Sequence, residues 1–369
     1  MDLHDFLTPV AQLCSQTGPQ SKIVISSRVR LARNLRKYPF PGRADKSARI
    51  ECCRLLREAV QPLPQMADGW AENMENLSAL DKQVLVERHL ISREHAAQGV
   101  GSAVVLSRDQ SLSVMINEED HLRMQCVLPG LQIDRTWEAI DEFDSALEQR
   151  VEYAFSPQFG YLTACPTNVG TGIRVSAMLH LPALVLDEQI NRIIQAVNKL
   201  GLAVRGLYGE GTEALGNVFQ VSNQRTLGES EEQIIERLSK VIAQIIEQEN
   251  DARGRLLERK PRAVLNHIGR AYGILANAHS MPSKEAINLL SLFRLGIDLG
   301  LFENVPRTLT DELFLLVQPA HLQLLVRERK LNAEQRDFLR ADLLRERMAS
   351  VPRPGSSSGT GGGTLDKPA

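Results

Sequence analysis

Between residues 21 and 228, short apolar runs alternate with stretches whose apolar positions recur at helical spacing. Strand-like runs fall at 22–30, 102–107, 112–116, 159–165, 172–178, 202–207 and 217–222, and helical patterns around 46–60, 78–87, 134–150 and 187–200. The strand runs come in close pairs: only a short polar turn separates Ala103–Leu106 from Leu112–Ile116. Such pairs suit hairpins better than crossover helices, which predicts an α+β unit, an antiparallel sheet with helices on one face. The pattern changes at Ser230. Ser230-Glu231-Glu232-Gln233 reads as a capping box, and apolar residues at 234, 235, 238, 241, 242, 245 and 246 trace a helical stripe after it. No convincing strand occurs from Arg253 to Met348, and helices are predicted at 262–278, after Ser283, after Thr310 and from Asn332 to Met348. The expected organisation is a mixed unit over 1–250, an all-α unit over 251–349 and a disordered Gly/Ser/Pro tail over 350–369.

Several strand runs carry charge where a buried strand would have none. Arg28 and Arg30 are two apart, so on a strand they project to one face while Val29 points to the other. Arg174 and Arg205 lie on two further runs, and Asn117-Glu118-Glu119-Asp120-His121-Leu122-Arg123 follows directly on a third. Each segment alone could be a polar turn or an ion-paired surface. Five guanidinium groups brought together without an anion would repel one another, so the set points to a polyphosphate ligand.

Composition narrows the function classes. With 43% hydrophobic and 24% charged residues, this is an ordinary globular chain. A net charge of −2 and 5% aromatic residues give no reason to expect nucleic acid. Its 33 Arg against 10 Lys favour bidentate anion recognition. The five cysteines, Cys14, Cys52, Cys53, Cys126 and Cys165, form no C-x-x-C pair, and no protein metal site is expected. No signal-like N-terminus and no apolar run of spanning length is seen, so a cytoplasmic protein without a membrane partner is expected.

There is no G-x-x-x-x-G-K-[ST], no complete G-x-G-x-x-G and no eukaryotic protein-kinase signature set. The charged segments instead resemble the catalytic domain of the phosphagen (guanidino) kinases over roughly residues 20–250. The matching pieces are Ser26-Ser27-Arg28-Val29-Arg30, Asn117 to Arg123, Cys165-Pro166-Thr167-Asn168-Val169-Gly170-Thr171, Arg205-Gly206 through Glu210 to Glu213, and Ser222-Asn223 followed by Leu227-Gly228. The resemblance implies that Ser26, Arg28, Arg30, Arg123, Arg174, Arg205 and His89 hold ATP. It implies that Glu119 and Glu210 grip the acceptor guanidinium beside Cys165, and that Mg²⁺ is held mainly by nucleotide and water. The chemistry agrees: a protonated guanidinium is a poor nucleophile, and a carboxylate can align it and take its proton, Glu119 being the expected base. Gln220 departs from the family, where an acidic residue is usual.

The phosphagen kinases carry an N-terminal helical domain that closes over a free guanidino amino acid. Here the motifs begin by Ser26, so an arginine on a polypeptide is the expected acceptor. With its helical C-terminal unit, the chain resembles the bacterial protein-arginine kinases (McsB family). Arg336-Asp337-Phe338-Leu339-Arg340-Ala341 matches that family's R-D-x-x-R-A motif, which implies phosphoarginine binding by Arg336, Asp337 and Arg340. The resemblance further implies protein substrates with exposed arginines, an activator protein, a protein-degradation machinery and a stress-response setting. The alternatives are a small-molecule guanidino kinase and a non-catalytic phosphoarginine-binding adaptor. The oligomeric state, a homo-oligomer included, stays open.

Overall fold

The computed structural model describes residues 3–7, 17–206, 214–326 and 330–355. Eight strands form one antiparallel sheet: β1 (Val24–Arg33), β2 (Trp70–Asn73), β3 (Ala103–Leu106), β4 (Leu112–Ile116), β5 (Leu122–Pro129), β8 (Ile173–His180), β9 (Leu202–Gly206) and β10 (Val218–Asn223). Their order is β2-β3-β4-β5-β1-β8-β10-β9. β6 (Phe155–Ser156) and β7 (Gly160–Tyr161) make a separate hairpin.

The strands alternate strictly. Val29 and Leu31 of β1, Met124 and Cys126 of β5, Val175 and Ala177 of β8 and Phe219 and Val221 of β10 share the lower face with Ala103, Val105, Val114 and Ile116. Helices Lys46–Val60, Ile133–Glu148 and Glu231–Arg259 cover that face with Leu56, Ile140, Phe143, Leu238 and Ile242. Arg33 is an exception, fully buried below the sheet. It donates to Asp144 at 2.7 and 3.0 Å and to the Thr171 carbonyl at 2.9 Å, and stacks over the Tyr161 ring.

The expectation of helices on one face needs amending at one end. Over β2 to β4, helix Ala79–Glu87 covers the upper face too, and Val84, Leu85, Val104, Leu106, Met115 and Trp70 form a second core there. Three strands lie outside the runs expected from the sequence, β2, β5 and the two-residue β6, while the 159–165 run yields only β7. β5 keeps the period of two, Leu122, Met124 and Cys126 alternating with Arg123 and Gln125, but its first two residues close the charged 117–123 segment, which the sequence presents as a polar turn.

Helix Glu231–Arg259 begins at the expected capping box and runs unbroken across residue 250. Its Glu249, fully buried, accepts from the Ala183 and Leu184 N–H groups and from Arg253, which reaches the Lys22 carbonyl. Helices Pro261–Asn277, Ser283–Asp298, Arg307–Leu316, Pro319–Leu325 and Ala333–Met348 complete the chain, and one apolar core runs through both units. Of the region expected to be a tail, Val351 is buried and accepts at its carbonyl from the Tyr272 hydroxyl; residues 356–369 lie outside the described residues.

Candidate active site

The register of the central strands puts all five strand arginines on the upper face. Arg30 lies directly opposite Gln125 of β5 and Arg174 of β8, Ala32 opposite Arg123, and Gln220 of β10 opposite Arg205 of β9. They line a cleft of about 580 Å³ together with Glu118, Glu119, Asp120, Cys165, Thr167 and Asn168. The cluster is held against its own repulsion. Burial, then Arg123 and Arg174, push the Arg28 guanidinium down to about 10. Arg30 is driven down by burial and by the other three, and Arg174 by burial, Arg205 and Arg123. The Arg30 Nε is buried with no hydrogen-bond partner. Half-buried cations with an unsatisfied donor and a single counter-charge, Glu118 on Arg123, fit a polyphosphate, whose oxygens meet both deficits. Arg28 donates to the Gln220 amide oxygen at 2.7 Å. A neutral acceptor at 220 orients the guanidinium without neutralising it.

The acidic segment is a tight turn between β4 and β5. Asn117 adopts φ 56°, and its side chain donates to the Arg49 and Gly101 carbonyls at 2.9 and 2.8 Å. The turn separates its three acids by role. Glu118 is buried and accepts from Arg123 at 2.6 Å on each oxygen and from the Ser92 hydroxyl. Burial opposes its charge, but Arg123 and Ser92 hold the carboxyl below the usual range. Asp120 accepts from Asn34 and the Ala164 N–H, both at 2.6 Å, and so anchors the segment leading to Cys165. Glu119 alone projects into the open cleft, where burial and the neighbouring Asp120 and Glu118 raise its proton affinity. That is the placement a general base needs. His121 is structural: Nδ1 accepts from the Leu35 N–H, Nε2 faces the Pro39 carbonyl, and burial pushes its pKa down to about 4.

Ser26 and His89 meet across a narrow hollow beside Arg28, Met178 and Gln220. Burial and Arg28 push His89 down to about 4, so its ring is neutral at physiological pH. Cys165 lines the cleft with its thiol 3.0 Å from the Thr167 hydroxyl. Glu210 falls in 207–213, outside the described residues. Two residues that the sequence reading passed over, Arg93 and Glu94, also line the cleft. They sit on the short helix Arg93–Ala96, capped by Ser92, and only a cap-like Ser in the sequence hints at it.

The Arg336, Asp337 and Arg340 cluster lies on helix Ala333–Met348, whose capping box joins Asn332 and Gln335. Arg340 is buried and donates to the Val317 carbonyl at 2.8 Å, the Met281 carbonyl at 2.7 Å and Asp337 at 2.6 Å. Arg336 donates to the Leu331 carbonyl at 2.8 Å. The two guanidinium groups therefore do not form an open pair: Arg336 and Asp337 reach the surface, while Arg340 clamps three elements from within.

Comparison with known proteins agrees with this geometry. Residues 52–252 match the C-terminal catalytic domain of the ATP:guanido phosphotransferases, and residues 261–359 match the protein-arginine kinase McsB C-terminal domain. A protein-arginine kinase of Halothermothrix orenii is 46% identical over 349 residues, covering 94% of this chain and 99% of that protein. One of Geobacillus stearothermophilus is 49% identical over 350 residues, covering 94% and 96%. Among solved structures, a duplicated taurocyamine kinase from Schistosoma mansoni with bound transition-state-analogue components superposes with a TM-score of 0.58 at 26% identity, over 68% of this chain and 38% of that one. A lombricine kinase shares the fold with a TM-score of 0.57 at 24% identity, over 69% and 76%. The chain belongs to the protein-arginine kinase family, with a guanidino-kinase catalytic domain and the family's helical C-terminal domain.

Proposed function

We propose that this chain transfers the γ-phosphoryl group of ATP to a guanidinium nitrogen of arginine side chains in proteins. The observation that carries the reading is one cleft with a self-repelling arginine face along its floor and the Glu119 carboxylate at its rim. The arginines hold the triphosphate and stabilise charge on the group in transfer. Glu119 orients the acceptor guanidinium and takes the proton that its nitrogen loses as the N–P bond forms and ADP leaves. Among the described residues no group of three His, Cys, Asp or Glu side chains is arranged around a metal position. Mg²⁺ fits as a companion of the nucleotide oxygens, where it adds to charge neutralisation.

The same reading places phosphoarginine recognition on Arg336 and Asp337, with Arg340 holding Asp337 in position. Family resemblance supports an activator protein, a degradation machinery and a cytoplasmic, stress-related setting. No described helix is long and apolar enough to cross a membrane.

Incubation with ATP and an arginine-rich protein should give label on arginine, lost in mild acid and stable in mild base. Label on Ser, Thr or Tyr that survives acid sinks the assignment. Glu119→Gln should cut kcat by roughly 10²- to 10⁴-fold while ATP still binds. Near-normal turnover would remove Glu119 from the base role.

A further inference from the structure

His89 sits in a left-handed conformation that is uncommon outside glycine. Helix Ala79–Glu87 ends in a Schellman turn, in which the His89 N–H donates to the Val86 carbonyl and the Leu90 N–H to the Leu85 carbonyl, each at 2.9 Å. The residue after the cap in that motif takes positive φ and is usually glycine. Here it is His89, at φ 59°. A side chain in a left-handed position is strained, and it stays there only when surrounding contacts impose it.

Those contacts come from two sides. From the sheet, Gln125 donates to the His89 carbonyl at 2.7 Å, and the Ser113 hydroxyl donates to the Leu90 carbonyl. From the C-terminal domain comes Glu87's set of partners. This last residue of the helix accepts from the Ala320 N–H at 2.8 Å and the His321 N–H at 3.1 Å, and meets His321 Nδ1 at 2.7 Å. The junction is well packed, with side-chain exposure of 14% for Glu87 and 4% for His321. Arg88, between Glu87 and His89, contacts His321 Nε2 at 3.3 Å and donates to Gln110 and the Leu7 carbonyl. The linkage reaches the site itself: Gln318 and Pro319 line a hollow of about 450 Å³ together with His89, Arg28, Arg30 and Arg93. At its other end the Val317–His321 turn is pinned by Arg340 on the Val317 carbonyl. Glu87 also borders that hollow, but both of its carboxylate oxygens are engaged by Ala320 and His321 of the other domain.

We infer that Glu87 is a positioning residue, through which the helical C-terminal domain holds His89 in its nucleotide-binding conformation. This rests on the proposed nucleotide role of His89. It makes the C-terminal domain part of the ATP site, a contribution that the catalytic domain cannot supply by itself.

The test is a double-mutant cycle in the full chain, read as phosphoarginine formation on an arginine-rich protein. Glu87→Gln should raise KM for ATP about tenfold and leave kcat within about twofold. Inorganic tripolyphosphate, which engages only the arginine face, should bind Glu87→Gln as it binds the wild type. His89→Gly, which relieves the backbone strain, should raise KM for ATP by a similar factor with no fall in melting temperature. In the His89→Gly background, Glu87→Gln should add less than about twofold, because residues that act through one another are not additive. Fully additive losses, an unchanged KM in Glu87→Gln, or an equal loss of tripolyphosphate affinity would overturn the inference. If Glu87→Gln does not fold, His321→Gln approaches the junction from the other domain, with the same outcomes. An unchanged KM in His89→Gly removes the nucleotide role of His89 and this inference with it. The arginine-phosphorylation reading is tested separately, by wild-type product.

Discussion

The two ends of the sheet share one backbone architecture and use its upper face in opposite ways. Over β2 to β4 that face is apolar: Val104, Leu106 and Met115 are buried under helix Ala79–Glu87. From β5 to β9 the same face carries Arg123, Arg30, Arg28, Arg174 and Arg205, and among the described residues no helix covers them. The border falls between neighbouring strands, where Met115 of β4 stands directly opposite Arg123 of β5. Below the sheet the two ends are alike, and a single core runs under all the strands. The lower face thus supplies the stability that lets the upper face hold charges in conflict. The contrast also appears within one strand: Arg28 and Arg30 point up to repel one another, whereas Arg33 points down and is matched by Asp144.

Exchanging the character of the two ends should break the protein in different ways. Met115→Arg puts an unpaired charge into the covered end and should cost about 3–5 kcal/mol of stability, read as a large fall in denaturation midpoint. A folded variant of near-normal stability would show that the second core is not closed. The reverse change, Arg30→Leu, removes a half-buried cation with an unpartnered Nε from the open end. Stability should hold or rise, while ATP affinity falls roughly 100-fold, in line with loss of charge-assisted hydrogen bonds worth about 1.5–3 kcal/mol each. Calorimetry and thermal melts on one preparation separate the two effects; a destabilised Arg30→Leu with intact ATP binding would make Arg30 structural. The smallest effect is in pH dependence. The Glu119 carboxyl is raised in the folded protein, so the base is lost on acidification at a higher pH than for an ordinary glutamate, whose usual value is 4.5. The acid limb of kcat/KM should lie above that value, and Asp120→Asn should move it back down without shifting the alkaline limb.

Much of this contrast could be read along the chain. Arg28 and Arg30 at a spacing of two had to share a face once 22–30 was a strand, and Val29 and Leu31 had to face the core. The capping boxes at Ser230 and Asn332 marked the starts of two helices correctly. The acidic heptad after β4 was legible as a site, and the family resemblance singled out Glu119 within it, but no local pattern explains the separation of its acids. Glu118 and Glu119 are adjacent and chemically identical, and only the turn at Asn117 sends one to Arg123 and the other into the cleft. Arg93 and Glu94 were invisible because nothing local distinguishes them from a solvated helix end. A spacing of four puts Arg336 and Arg340 on one helix face, which by itself does not say whether both are open to a ligand. That the Arg340 guanidinium is engaged by Val317 and Met281 depends on neighbours 23 and 59 residues away.

By itself the sequence determined most of the strand and helix periods, the face that Arg28 and Arg30 share and the chemistry that five clustered guanidinium groups demand. These follow from spacing and side-chain type, which are local. Tertiary structure alone decided the strand order β5-β1-β8-β10-β9, which turns arginines from four separate strands into one cluster. It decided which of two adjacent glutamates faces the open cleft, and it set Glu87 against helix Pro319–Leu325, next to a histidine that stands where a glycine would be at ease. Such pairings join residues up to 234 positions apart. Their free energies depend on which surfaces the folded chain removes from water together, and no local pattern records that.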